Sequence, residues 1–168
     1  ARESGFCFIK INATLNGAVY GRIGSEKQRA FVHELRGVCD YVGVGGQTVR
    51  ADRPTLGVRA AKFDEISALV GSADMLTLDA CAAPQNLKLR APDVWIYSRR
   101  ALSDFDASIP LFGVEGRKVE VSQSLPASAK ITMVETGASS FDKFAQFASH
   151  ALIFYSAQMR DAGNFRAN

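Results

Sequence analysis

The sequence predicts an α/β domain with a mostly parallel central sheet flanked by helices, and three observations carry that expectation. Stretches patterned as strands alternate along the chain with stretches of helical spacing. Several of the strands are apolar along their whole length, as strands covered on both faces are. Glycines mark strand-to-helix turns, Gly45-Gly46 after residues 38–44 and Gly137 after residues 130–135.

Taken in order, residues 5–13 alternate as a strand. Cys7, Ile9, Ile11 and Ala13 face one side; Phe6, Phe8, Lys10 and Asn12 face the other. Leu15-Asn16-Gly17 opens a loop that also holds Gly21 and Gly24. Ser25 and Gln28 form a capping box, starting a helix that Gly37 ends and whose core stripe is Phe31 and Leu35. A second strand covers 38–44. A helical turn over 47–52 stops before Pro54, whose ring cannot continue a helix. A brief strand is expected at 56–59 and a helix at 63–70, where Phe63, Ile66, Leu69 and Val70 have helical spacing and Gly71 closes the run. Strands follow at 74–79, 93–98, 118–122 and 130–135. Thr136-Gly137 leads into a helix with Phe141, Phe144 and Ala148 on one face. A last strand runs from Ala151 to Ala157, and residues 158–168 form a polar tail expected to fray. No repeat, low-complexity segment or linker interrupts the 168 residues, so a single domain over 1–168 is expected.

Composition narrows the class. Hydrophobic residues make up 47% and charged residues 22%, an ordinary globular balance that is far from a disordered one. No apolar run approaches the ~18 residues of a membrane span, and no secretory signal is visible. The net charge of +3 comes from interspersed acids and bases. That argues for no nucleic-acid partner but suits an anionic ligand. Cys7, Cys39 and Cys81 form no C-x-x-C pair, and with only His33 and His150 nothing has metal-ligand spacing. Reduced structural thiols in the cytoplasm, and no metal, are the expectation.

Ligands of open parallel sheets collect beyond the carboxyl ends of the strands, where glycine turns let backbone amides approach an anion. Two segments qualify, Val44-Gly45-Gly46-Gln47-Thr48 and Glu135-Thr136-Gly137-Ala138-Ser139-Ser140. Taken alone, each also reads as a tight connection. Ser98-Arg99-Arg100, after the apolar run Val94 to Tyr97, offers a hydroxyl and two guanidinium groups for a phosphate, or else forms a solvated loop. The richest stretch runs from His33 to Arg59, with Arg36, Gly45, Thr48, Asp52, Pro54, Leu56 and Arg59 at close quarters. Individually, Asp52 reads as a turn cap and the arginines as surface residues.

The string H-E-L-R-G-V-C-D-Y-V-G-V-G-G-Q-T-V-R-A-D-R-P-T-L-G-V-R, residues 33–59, resembles the signature of the riboflavin-pathway pyrimidine reductases. These are 5-amino-6-(5-phosphoribosylamino)uracil reductases of dihydrofolate-reductase-like fold. Their pattern is roughly H-x-L-R, an apolar strand, G-x-x-T and D-x-P-x-L-x-x-R, and every fixed position is present. Lys10 with Thr14-Leu15-Asn16-Gly17 is similar to their first-strand motif. Leu78-Asp79, Tyr97-Ser98-Arg99, Val134-Glu135-Thr136-Gly137 and the strand from His150 are similar to later ones.

The resemblance implies NADPH as hydride donor and a ribosylamino-pyrimidine 5-phosphate as substrate, its ribosyl group reduced to ribityl. It implies catalytic roles for Asp52 and Glu135, and a substrate site of Lys10, Asn16, Arg36, Pro54, Leu56 and Arg59, the two arginines on the phosphate. Gly45, Thr48, Ser98, Arg99, Thr136 and Gly137 are implied as the cofactor site, with Arg99 favouring the extra phosphate of NADPH. A homodimer is expected, since this fold commonly pairs, with the aromatics Phe154 and Tyr155 as interface candidates, and the reductase is either free-standing or fused to a deaminase domain upstream. Neither H-x-E nor P-C-x-x-C, the deaminase motifs, occurs in this chain. Two departures stand out: Asn16 replaces an aspartate and Thr136 a glycine. They leave open a reductase of another substrate, or a silent subunit that keeps the fold for binding or assembly.

Overall fold

The computed structural model describes residues 6–14, 26–58, 91–136, 141–148 and 150–156. Their elements run β1 (Phe6–Thr14), α1 (Glu26–Val38), β2 (Tyr41–Gly45), α2 (Gly46–Asp52), β3 (Asp93–Tyr97), β4 (Val119–Ser122), β5 (Ile131–Glu135), α3 (Phe141–Ala145) and β6 (His150–Ser156). Short 3-10 turns at Leu102–Asp104 and Pro110–Gly113 lie between β3 and β4. The expected helix at 63–70 and strand at 74–79 fall outside the described residues, as do Asn16, Arg59, Gly137 and the side chains of Phe154 and Tyr155.

The strands form one six-stranded sheet in the order β4-β3-β2-β5-β1-β6. Every pairing is parallel. The sheet is α/β as expected, with apolar cover on both faces. Phe8, Val42, Val44 and Met133 pack on one face with Leu35 of α1; Cys7, Ile9, Trp95 and Val134 pack on the other with Phe144 of α3. The alternation read from β1 therefore holds, since Phe8 and Ile9 enter different cores. Phe31 and Leu35 likewise form the buried stripe of α1.

Two aspartates fix where the strands begin. The Asp40 carboxylate accepts hydrogen bonds from the amides of Lys130 (3.0 Å) and Ile131 (2.8 Å), at the start of β5. Asp93 accepts one from the amide of Lys118 (2.9 Å), just before β4. A strand amide at the sheet end needs a partner, and a charged acceptor supplies a stronger one than water does.

Three expectations are corrected. The strand expected at 56–59 does not form over its described part, 56–58: Leu56 has φ 50°, a left-handed conformation that no extended strand contains, although its apolar side chain is buried as in one. The second strand begins at Tyr41 rather than at 38, because α1 runs through Gly37 to Val38. The α3 helix ends at Ala145, so Ala148 reaches the core from the turn that follows, beside Phe147.

Trp95 is fully buried and meets Phe144 and Phe147 edge-on, at 6.0 Å and 5.3 Å between ring centroids. Its indole N–H donates to the Ser122 hydroxyl at 3.0 Å. The ring lies against Gly43 on the neighbouring strand, where an added Cβ would come within 2.9 Å of the ring and 3.1 Å of Val134. Gly43→Ala is therefore expected to destabilise the protein by about 1–3 kcal/mol through overpacking, read as a lower urea midpoint at unchanged slope.

Candidate active site

Because the strands are parallel, β2, β3 and β4 end on the same edge of the sheet. The residues just past those ends, Gly45-Gly46, Ser98-Arg99 and Gln123, border one cleft of about 320 Å³. Tyr97 and Phe144 give it an apolar wall, and Arg50, Arg99 and Lys143 give it three cations. Gly45 precedes α2 with φ −71° and ψ 142°, and the helix begins at Gly46. A Cβ on Gly46 would come within 3.0 Å of Ser98 and 3.2 Å of Phe105, so the close meeting of β2 and β3 ends depends on this glycine. The Ser98 hydroxyl accepts the amide of Arg100 at 3.0 Å, which shapes the turn that exposes Arg99. Gly45, Thr48, Ser98 and Arg99, singled out by sequence for a cofactor, thus share one cleft. Gln47 entered only as part of the glycine segment, and Arg50, Gln123 and Lys143 were not singled out; only the position of Gln123 past a strand end could have signalled it.

A second cleft, of about 340 Å³, is bordered by His33 and Arg36 of α1 and by Pro54 to Val58. The α2 helix, about 10 Å long at 1.5 Å per residue, carries the chain from the first cleft to the second. Arg36, Pro54 and Leu56 share this cleft, and Arg59 would follow immediately after Val58. Asp52 ends α2 and is exposed; it borders neither cleft among the described residues.

Behind the second cleft lies a charged cluster. The Arg36 guanidinium donates twice to Glu135, Nε to Oε1 at 2.5 Å and Nη2 to Oε2 at 2.9 Å, and its Nη1 donates to the Gly57 carbonyl at 3.1 Å. Lys10 approaches the same carboxylate at 3.8 Å. Lys10 and Glu135 are register partners on β1 and β5, so sheet geometry brings them together. Burial by itself would raise the Glu135 pKa, but the hydrogen bonds and charge of Arg36, with Lys10 and His33, hold it below the ordinary carboxylate range. Burial pushes the Lys10 ammonium down; Glu135 opposes that and Arg36 adds to it. Glu135 is therefore a fixed acceptor and orienting anion rather than a store of a proton. Thr136, next along, donates its amide to the Lys10 carbonyl at 3.4 Å and borders neither cleft.

The linkage has a definite sign. The folded pKa of Glu135 lies below its ordinary value, so its stabilisation is present above that value and fades as the pH falls through the lower, folded one. Glu135→Gln leaves the buried Lys10 and the half-buried Arg36 without their counter-charge and is expected to cost about 3 kcal/mol at neutral pH. Its urea midpoint should vary less with pH on the acid side than that of the parent; an equally steep acid limb would contradict the assignment.

No family model matches the chain, and no curated protein does. Solved structures do. A deaminase/5-amino-6-(5-phosphoribosylamino)uracil reductase from Thermotoga maritima is similar with a TM-score of 0.64 and 21% identity, over 96% of this chain and 47% of that one. RibD of Acinetobacter baumannii is similar in two forms, with TM-scores of 0.64 and 0.66, identities of 15% and 14%, and 94% of this chain against 47% of that one in each. The chain thus spans about half the length of these structures. What the likeness shows is the fold, the dihydrofolate-reductase-like α/β architecture expected from the sequence, and among the proteins that share it are reductases of the kind that residues 33–59 resemble.

Proposed function

We propose that the chain is the reductase part of a riboflavin-pathway pyrimidine reductase, binding NADPH in the first cleft and a ribosylamino-pyrimidine 5-phosphate at the second. The observation that carries this reading is the pair of clefts at the two ends of α2. One is glycine-bordered and cationic; the other is bordered by Arg36 and the Pro54–Leu56 turn with Glu135 behind. Amides at a glycine turn and three nearby cations suit the phosphates of a dinucleotide, while Tyr97 and Phe144 suit a flat ring.

Bound in the first cleft, NADPH would supply a hydride to the carbon of a ring-opened imine, whose nitrogen would take a proton. The protein supplies orientation and fixed charge. Glu135 accepts hydrogen bonds from sugar hydroxyls, and Arg36 and Arg59 lend positive charge to the phosphate. Asp52, close in sequence to Pro54, handles the proton. Gly137 completes the cofactor side, with Thr136, which borders neither cleft, only adjoining it, and Lys10 and Asn16 belong to the substrate side. The same resemblance gives a single-domain homodimer acting in the cytoplasm, alone or beside a deaminase domain. Sedimentation as a monomer at micromolar concentration would remove the dimer.

A second reading, an NADPH-dependent reductase of another substrate, is favoured by two observations. Arg36 is already bound by Glu135, and Asp52 is outside both clefts.

An anaerobic assay of NADPH oxidation with the deaminated ribosylamino-pyrimidine phosphate decides between them. Turnover that Asp52→Asn abolishes supports the first reading. NADPH binding, seen as thermal protection, without turnover of this substrate supports the second. In an active protein, Arg99→Gln should narrow the preference for NADPH over NADH by about tenfold, the worth of one charge-assisted contact.

A further inference from the structure

We infer that Arg117, which borders neither cleft, is a positioning residue that sets the shape of the second one. Two non-glycine residues among those described have positive φ, Arg53 (45°) and Leu56 (50°), and both belong to the turn whose residues from Pro54 to Val58 border that cleft. Left-handed backbone costs such residues about 1 kcal/mol or more each, and persists only where the surroundings impose it.

At Arg53 it caps α2, the amide donating to the Val49 carbonyl, whereas at Leu56 Arg117 imposes it from 61 positions away. Its Nη1 donates to the Thr55 carbonyl at 2.5 Å and its Nη2 to the Leu56 carbonyl at 2.8 Å. Arg36 takes the next carbonyl, that of Gly57, so two guanidinium groups hold three consecutive carbonyls. Leu56 is buried in the main core, and Arg53 is tied to Asp106 at 2.8 Å and to Ser108 at 2.6 Å. The planar fork of an arginine can grip two adjacent carbonyls at once, whereas a lysine is a single point donor. Burial disfavours the Arg117 charge, and nearby Arg36 adds to that, with Asp93 opposing; its Nε is buried and unpartnered. The side chain is held there despite these costs because the turn requires it.

The inference rests on the second cleft's being the substrate site, so the test separates the two. Ribose 5-phosphate binding by calorimetry and 15N relaxation of the Thr55–Val58 amides are measured on the parent, Arg117→Met and Arg117→Lys. Arg117→Met should lower the order parameters of the turn and weaken ribose 5-phosphate by about tenfold, while leaving the affinity for NADPH unchanged. Arg117→Lys should lie between the two. Millimolar guanidinium should restore binding to Arg117→Met, which a general loss of stability would not allow. Unchanged order parameters, or an equal loss of NADPH binding, overturn the inference. A parent that fails to bind ribose 5-phosphate counts against the substrate reading; the inference then stands or falls on the relaxation of the turn alone.

Discussion

An anion placed between two cations at the middle of a parallel sheet is the constraint around which the rest of this structure is arranged. Glu135 ends β5, which lies between β2 and β1, and its carboxylate holds Arg36 of α1 on two bonds with Lys10 of β1 close by. Removing three charges from water is unfavourable unless the geometry is good and the remaining protons are satisfied. Here the guanidinium meets the carboxylate side-on and spends a further N–H on Gly57. A helix, two strands and a cleft-bordering turn are therefore tied through one group. The cluster keeps an excess of one positive charge.

The first cleft has a different origin. Among the described residues no ion pair joins its lining; it follows from topology. Parallel strands must all end on the same edge, and the turns that leave β2, β3 and β4 there cannot close over one another without side chains small enough to let them meet. Gly46 against Ser98 meets that need, and α2 starts at once, with its first amides at the edge of the cleft. The aspartates at the opposite edge do the complementary work, capping strand starts so that the registers, and with them the strand ends, are fixed.

Legibility in the sequence followed the range of the forces involved. The β1 and α1 elements could be read because their partners repeat at periods of two and of three to four residues, a local signal of burial. The first-cleft residues Gly45, Thr48, Ser98 and Arg99 were legible because a glycine or a polar group follows an apolar strand. Residues 56–58 were misread as part of a strand because Leu56 looks like any buried apolar residue. Its backbone is set by Arg117, and no local pattern announces a donor 61 positions away. Lys143 and Arg50 escaped for the same reason: each is one charge among many until the fold brings it to the cleft. Asp52, prominent in the motif, ends exposed beside its turn.

The arginines show why net charge was a poor guide to the site. Of those near the two clefts, Arg36, Arg53 and Arg117 are occupied by carboxylates, a hydroxyl or backbone carbonyls. They act as rigid multi-pronged donors that shape backbone. Arg50 also lies over the Phe105 ring at 5.4 Å, and Arg99 is exposed at a strand end. A chain of modest overall charge can thus present a strongly cationic cleft while devoting other arginines to architecture. Replacing any of the three architectural arginines by lysine would keep the formal charge and lose the fork, so the difference between the two side chains is a test of which role each cation plays.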